Sequence, residues 1–205
     1  MFYTTDTNEH GLAHDPFKAI VSPRPIGWIS TLDENGIANL SPYSFFNAIG
    51  DNPKLVMVSS AGVKDMARTA IASGEFVCNL ATGKLVREVV KTSAPAPSDV
   101  DEFELAGLTK APSRLIKAPR VAESPAALEC VVTQSFRPRG RNGESANVVV
   151  IGEVIGIHID ESILADGRID MALAAPLARL GYLDYAIADD VFTMPRPKRP
   201  DGSDI

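Results

Sequence analysis

Residues 39–48 read NLSPYSFFNA and place hydroxyls, amides, a proline and three aromatic rings in one short stretch. Such a stretch can be a plain strand end that leaves over a hydrophobic core. It can also be a wall for a flat ligand, partly apolar and rimmed by polar atoms. Asn39, Ser41 and Ser44 supply the donors and acceptors that such a ligand would need.

The three aromatic rings of this stretch belong to Tyr43, Phe45 and Phe46. Because neighbouring side chains of a strand point to opposite faces, the three rings cannot all meet one ligand. We expect Phe46 to enter the core.

Residues 59–65, SSAGVKD, lie between an apolar run and a helical pattern. Phosphate is bound well by N–H groups at a helix N-terminus, by hydroxyls and by a lysine. Groups of this kind belong to Ser59, Ser60, Gly62, Lys64 and Thr69. The alternative is an ordinary loop in which Asp65 or Ser60 caps the helix. Asp65 is compatible with a bound phosphate only if its carboxylate points away or caps the N–H groups.

Several short elements must position these residues. Segments 27–33 and 37–42 flank DENG, where Asn35 and Gly36 predict a hairpin turn with positive φ angles. The apolar run 54–61 predicts a strand buried on both faces, and 64–73 predicts a helix ended by Gly74.

The second half of the chain is also rich in strand patterns. Segment 75–82 predicts a strand, 84–93 a helix, and 126–136 and 146–160 long strands. Two glycines within the last strand, Gly152 and Gly156, suit bulges or the bends of a barrel. The pattern therefore predicts a small β-barrel with a few short helices.

The composition limits the class of protein. The chain has 205 residues and 45% hydrophobic residues, enough for a sizeable core, and we assign 1–195 to one domain and 196–205 to an extended tail. A net charge of −6 argues against a nucleic-acid partner. With no long apolar span and no signal peptide in the given sequence, we expect a cytoplasmic protein without a membrane partner.

The familiar catalytic and metal motifs are missing. The sequence has no GxGxxG, GxxxxGK[ST], HExxH or GxSxG pattern, and its histidines and two cysteines are scattered. We predict no metal site and expect Cys78 and Cys130 to be buried thiols. Chemistry supplied by a bound cofactor asks less of the side chains.

The order of motifs resembles a known family. Between SPRPIGWIST near the N-terminus and LARLGYLDYA near the C-terminus lie NLSPYSF, DNPKLVMVSSAGVKD, GEFVCNLA and VVVIGEVIGIHID. Over residues 16–195 this order resembles the flavin reductase-like, FMN-binding split-barrel family, which includes flavoredoxin, ferric reductase and reductase components of two-component monooxygenases. The resemblance implies a mainly β, Greek-key split barrel, bound FMN and a homodimer.

The resemblance also assigns roles to residues. It implies that 39–45 contact the isoalloxazine ring and ribityl chain and that 59–69 contact the phosphate. Arg24 is either a rim charge or a ligand-facing cation, and Arg179 makes either a structural salt bridge or a flavin contact. The predicted FMN-binding residues are Arg24, Pro25, Asn39, Ser41, Pro42, Tyr43, Ser44, Ser59, Ser60, Lys64, Asp65, Thr69 and Arg179.

The function implied is that of an NAD(P)H:flavin oxidoreductase with no catalytic side chain. NADH or NADPH would give a hydride to FMN, and the electrons would pass to a small-molecule acceptor or a monooxygenase component. Short-chain flavin reductases carry Gly-Asp-His before the long strand, where this chain has GESANVVV with Asn147 near the His position. That departure leaves two alternatives open: an FMN carrier or sensor without turnover, and an enzyme resembling pyridoxamine-phosphate oxidase.

Overall fold

The computed structural model describes residues 1–195 and 197–199, so most of the predicted tail, 196–205, lies outside the described residues. In chain order the described strands are β1 Arg24–Pro25, β2 Gly27–Leu32, β3 Ala38–Tyr43, β4 Phe46–Asp51, β5 Lys54–Ser60, β6 Glu75–Leu80, β7 Lys110–Ala111, β8 Arg120–Val121, β9 Ala126–Phe136, β10 Arg139–Gly140, β11 Gly143–Glu144, β12 Val148–Ile159, β13 Leu164–Ala165, β14 Arg168–Ile169, β15 Leu177–Arg179 and β16 Tyr185–Ile187.

The helices between these strands are short, in agreement with the sequence pattern. They are α1 Phe17–Ile20, α2 Asp65–Ser73, α3 Val86–Lys91, α4 Glu102–Ala106 and α5 Met171–Ala174, with 3₁₀ turns at Gly83–Leu85 and Glu161–Ile163. None of the helices in the described ranges is both long and apolar enough to cross a membrane.

Seven strands form the main antiparallel sheet, in the order β3-β2-β6-β9-β12-β5-β4. The sheet curls until its two ends meet. A Cβ atom placed on Gly27 of β2 would lie 2.5 Å from Cδ2 of Phe46 in β4, at the other end of the sheet. Phe46 packs against the core inside this curl, as predicted.

The hairpin β2–β3 forms as predicted, but the turn chemistry differs. Only Gly36 has a positive φ, at 81°, and Asn35 does not. The side chain of Asp33 accepts hydrogen bonds from the backbone N–H groups of Asn35 and Ile37 instead. The carboxylate thus orders a four-residue turn, and two left-handed residues are not needed.

The other predicted elements are mostly confirmed. Helix α2 ends at Gly74, with φ 77°, and β9 has the predicted bounds. Register shifts interrupt β12 beside both Gly152 and Gly156, which confirms the predicted bulges. Strand β5 is less buried than predicted, because its residues alternate between buried and half-buried positions.

Two large hydrophobic clusters and one small cluster of Val77, Ala118 and Ala127 fill the described part of the chain. The cluster inside the curled sheet contains Cys78 and Cys130, both buried free thiols as predicted. The second cluster, under α3 and α4, contains Trp28, which is fully buried. The Trp28 Nε1 donates a hydrogen bond to the Thr92 hydroxyl at 2.9 Å, so this ring belongs to the core.

Candidate functional site

The first half of the site is the polar wall, which we define as residues 39–45. Asn39, Ser41 and Tyr43 alternate along β3 with Leu40 and Pro42 and so share one face. Strand β3 is a sheet edge, and Pro42 suits an edge because it has no N–H to pair. Ser44 is half-buried in the bend between β3 and β4.

A buried carboxylate closes the edge of the polar wall. Glu102 of α4 accepts hydrogen bonds from the Asn39 side chain at 2.9 Å and from the Leu40 backbone N–H at 3.1 Å. Burial raises the pKa of Glu102 above its usual value. The Oδ1 atom of Asn39 is buried without a partner in the described residues. The sequence reasoning missed Glu102, since an acidic helix some 60 residues away carries no signal for this contact.

The aromatic residues of this stretch do not divide by alternation alone, because a bend at Ser44 and Phe45 lets both Tyr43 and Phe46 pack against the same core cluster. Tyr43 is half-buried against the core cluster, and burial raises the pKa of its hydroxyl to about 12. The ring of Phe45 lies 5.9 Å from Nζ of Lys18, so the N-terminal segment reaches the wall. Near neutral pH the side chain of Tyr43 is therefore a neutral hydroxyl.

The second half of the site is the serine loop, which we define as residues 59–65. The Ser59 hydroxyl accepts a hydrogen bond from the Asn147 side chain at 3.0 Å. Ser60 is fully buried on the core face of β5, beside the Tyr43 hydroxyl, and its own hydroxyl makes no hydrogen bond of normal geometry in the described residues. An unpaired buried hydroxyl costs stability in the free protein unless a ligand satisfies it.

Helix α2 begins directly after the serine loop. Its N-terminus has no side-chain cap, so the alternative in which Asp65 or Ser60 caps the helix is wrong. Asp65 forms an ion pair with Arg68, and Lys64 is exposed with no ion pair among the described residues. Uncapped N–H groups beside a free lysine favour an anion.

Thr69 lies one helical turn beyond the serine loop. It is buried and lines a separate cleft of about 730 Å³ together with Asp33 and Asn35 of the hairpin turn. Its place in the phosphate site stays a prediction from the resemblance.

The two predicted arginines lie opposite each other on paired strands, with Arg24 of β1 facing Arg179 of β15. Arg24 is buried and donates to the backbone oxygens of Lys18, Val21 and Leu180, the last at 2.8 Å. Burial, with a contribution from Arg179, lowers the pKa of Arg24. Its terminal nitrogens thus tie the segment 18–21 to Leu180, beside the exposed Pro25.

Arg179 is held by tyrosines. It donates to the Tyr185 hydroxyl at 2.6 Å and lies 4.5 Å from the centre of the same ring. In the part of the chain that the structure describes, no carboxylate forms a salt bridge with Arg179. The structural salt bridge considered for Arg179 from the sequence is therefore wrong.

The residues present fit FMN. The polar wall offers half-buried hydroxyls and one unpaired amide oxygen, and the serine loop offers uncapped N–H groups and a lysine without an ion pair among the described residues. These are the groups that an isoalloxazine ring and a phosphate require.

Comparison with known proteins identifies the class. A model of the flavin reductase like domain matches residues 21–178. The chain is 34% identical over 182 residues to an uncharacterised protein of Halalkalibacterium halodurans, covering 86% of this chain and 87% of the relative. The chain therefore belongs to the flavin reductase-like family.

Solved structures agree with this assignment. The nitrilotriacetate monooxygenase component B of Bacillus cereus superimposes with a TM-score of 0.83 at 32% identity, covering 95% of this chain and 99% of that chain. A split barrel domain protein of Shewanella frigidimarina gives a TM-score of 0.79 at 24% identity, covering 95% and 94%. The mainly β split-barrel prediction is confirmed.

Proposed function

We propose that this protein binds FMN and acts as an NAD(P)H:flavin oxidoreductase. The observation that carries the proposal is the serine loop, where the uncapped N-terminus of α2 follows directly on Ser59 and Ser60 and the exposed Lys64 has no ion pair among the described residues. A lysine and the N–H groups of a helix N-terminus are groups that bind phosphate well. Family membership supports the assignment.

In this proposal the chain binds and orients the cofactor. Lys64, Ser59, Ser60 and the N–H groups of α2 hold the phosphate, while Asn39, Ser41 and Ser44 meet the polar rim of the ring. FMN, when bound, supplies the ability to take up a hydride and pass electrons on singly or in pairs. Arg24 and Arg179 act by fixing the surrounding backbone.

NADH or NADPH is the proposed hydride donor, and the acceptor is a small molecule or a monooxygenase component. A monooxygenase component as the acceptor is supported by the similarity to the nitrilotriacetate monooxygenase component B, at 32% identity over nearly the whole chain. A cytoplasmic location stays a prediction from the sequence.

The test is a visible spectrum of the purified protein, followed by NADH and NADPH oxidation with FMN present. We expect flavin absorption that survives gel filtration or returns when FMN is added, and oxidation of at least one nucleotide. A protein that takes up no FMN contradicts the whole proposal.

One observation favours a second candidate, an FMN carrier or sensor without turnover. Asn147 stands where short-chain flavin reductases have their histidine, and its side chain is bound to Ser59 at 3.0 Å. This candidate predicts tight FMN binding with negligible oxidation of either nucleotide. The pyridoxamine-phosphate oxidase alternative predicts that pyridoxamine phosphate, rather than NADH or NADPH, reduces the bound FMN and so bleaches its visible absorption without oxygen.

We further propose that the protein is a homodimer in which a second copy covers β4. Five of the six residues of this edge strand are exposed, and Ile49 keeps 46% of its surface accessible. A long exposed edge offers unpaired N–H and C=O groups to another chain. The polar wall adjoins β4, so this contact would place each flavin near the subunit interface.

A further inference from the structure

A basic hairpin lies beside the serine loop. We define the arginine hairpin as residues 137–146, RPRGRNGESA, in which β10 and β11 pair through Arg139 with Glu144 and Gly140 with Gly143. The hairpin carries three arginines and one glutamate, in a chain whose net charge is −6. It is therefore a local positive region on an acidic protein, and neither the fold nor the proposed FMN site accounts for it.

The base of the arginine hairpin is fixed next to the serine loop. A terminal nitrogen of Arg137 donates a hydrogen bond to the backbone oxygen of Ala146 at 2.9 Å. The next residue, Asn147, is the one whose side chain binds the Ser59 hydroxyl. The guanidinium of Arg137 is thus held one residue away from the contact between the hairpin and the serine loop.

The other two arginines of the hairpin are paired only at the surface. Arg139 lies 3.7 Å from Glu144, and their side chains are 82% and 53% exposed. Arg141 pairs with Asp6, and these side chains are 69% and 61% exposed. Ion pairs as exposed as these contribute little, and a phosphate monoester carries more charge than a carboxylate and competes well with it. Arg137 has no carboxylate partner among the described residues.

An exposed aromatic ring stands at the root of the arginine hairpin. Phe136, the last residue of β9, keeps 47% of its surface accessible. It pairs with Val149 of β12, which in turn pairs with Ser59 of β5. Residues directly opposite each other in an antiparallel sheet point to the same face, and two strand spacings amount to about 10 Å. Phe136 and the Ser59 hydroxyl therefore lie on one face of the sheet, and Arg137 follows directly on the ring.

We propose that the arginine hairpin binds the 2′-phosphate of NADPH and that Phe136 stacks on the adenine of the same nucleotide. This inference rests on the proposed function, in which the serine loop holds the phosphate of FMN and a nicotinamide nucleotide delivers the hydride. Guanidinium groups match phosphate oxygens with paired hydrogen bonds, and adenine stacks well on an aromatic ring. NADH has a hydroxyl in place of this phosphate and gains nothing from the arginines. The hairpin thus makes the protein selective for NADPH.

The test measures binding rather than turnover. NADP⁺ and NAD⁺, which differ only in the 2′-phosphate and do not reduce FMN, are titrated by calorimetry into the full chain, once with FMN and once without it. We expect NADP⁺ to bind about tenfold more tightly than NAD⁺, as for one charge-assisted hydrogen bond, and the difference to shrink in high salt. A protein that takes up no FMN contradicts the proposed function. Equal Kd values, or no binding of NADP⁺, overturn this inference even if FMN is bound.

Three variants separate the two parts of the proposed site. Arg137→Ala should raise the Kd of NADP⁺ about tenfold and leave that of NAD⁺ unchanged. Phe136→Ala should raise both Kd values by a similar factor, because both nucleotides carry adenine. Glu144→Gln should lower the Kd of NADP⁺, since it removes the carboxylate that competes for Arg139. The three side chains belong to exposed residues, so we expect the variants to fold.

Arg168→Ala is the matched control. Arg168 is also an exposed arginine of a two-residue strand, β14, without an ion pair among the described residues, so its loss changes the net charge equally. It should leave both Kd values unchanged. An effect of Arg168→Ala equal to that of Arg137→Ala would show only a general influence of charge and would overturn the proposal. Arg137→Ala protein that loses affinity for FMN but not for NADP⁺ would overturn it too, and would assign Arg137 to the FMN phosphate.

Discussion

The Asn147 side chain donates a hydrogen bond to the Ser59 hydroxyl over 3.0 Å and so joins the segment before β12 to the serine loop. A serine hydroxyl that accepts one hydrogen bond still has its own proton to donate. Asn147 therefore holds the Ser59 hydroxyl in place without using its donor. In the proposed function, the serine loop is thus ordered before the phosphate binds.

Replacing Ser60 by Ala tests the unpaired hydroxyl of the loop. Because this buried oxygen has no partner in the described residues, its removal should leave the free energy of unfolding of the FMN-free protein unchanged or slightly raise it. FMN affinity should fall, and the comparison needs one unfolding titration and one FMN titration. A large loss of stability without loss of affinity would assign Ser60 to the fold.

Replacing Lys64 by Ala tests the phosphate contact. A charge-assisted hydrogen bond is worth about 1.5 to 3 kcal/mol, or roughly one to two decades in affinity. FMN binding should weaken by this amount, whereas riboflavin, which has no phosphate, should bind as before. Lys84→Ala, another exposed lysine, is the control. Equal losses for FMN and riboflavin would show that Lys64 does not contact the phosphate.

Replacing Ser44 by Ala tests the polar rim of the ring. The change removes one half-buried hydroxyl and opens no large cavity, so the melting temperature should change little. The oxidised and reduced flavins differ in donors and acceptors, and a loss of about 1.4 kcal/mol in one state shifts the two-electron potential by about 30 mV. A dye-equilibrated redox titration measures this shift. A lower melting temperature with an unchanged potential and affinity would make Ser44 a structural residue.

Replacing Ile49 by Lys tests the proposed dimer. The wild-type protein should sediment at about twice the chain mass at micromolar concentration, and a charge on the covered edge strand should shift it toward the monomer. Val90→Lys, at an equally exposed position of α3, should stay dimeric; the two side chains are 46% and 44% exposed. A wild-type monomer that still binds FMN would exclude this interface.

The pH dependence of stability should reflect Glu129. Burial raises the pKa of this residue of β9, but hydrogen bonds from His158 and from two backbone N–H groups outweigh that effect, so the pKa of Glu129 is lowered in the folded state. Its contribution to stability is therefore fully present above the pKa of the unfolded state, about 4.3, and is lost as the pH falls through the pKa of the folded state. Glu129→Gln should cost about 1 to 3 kcal/mol at pH 7 and flatten the loss of stability in acid. Urea unfolding at pH 7 and pH 4 measures both effects.

Glu102→Gln is the matched comparison for that experiment. Burial raises the pKa of Glu102, so the folded state favours its protonated form, and the ionised form opposes folding as the pH rises through the folded value. At pH 7, Glu102→Gln should therefore lower the free energy of unfolding by less than Glu129→Gln does. Equal losses for the two variants would contradict the opposite directions of the two pKa shifts.

Much of this protein was determined by local patterns in the sequence. The bounds of β9, the bulges at Gly152 and Gly156 and the helix that ends at Gly74 all follow from side-chain alternation and glycine chemistry. These features depend on residues close together in the chain, where spacing fixes direction.

The tertiary structure alone decided the long-range contacts. Glu102 meets Asn39 across 63 residues, and Arg24 reaches Leu180 across 156. Glu129 lies in an apolar strand pattern, yet its partners come from β12 and from the loop after β7. A polar side chain tolerates burial only when the fold brings donors or acceptors to it, and those groups are specified by the packing of distant elements rather than by neighbouring residues.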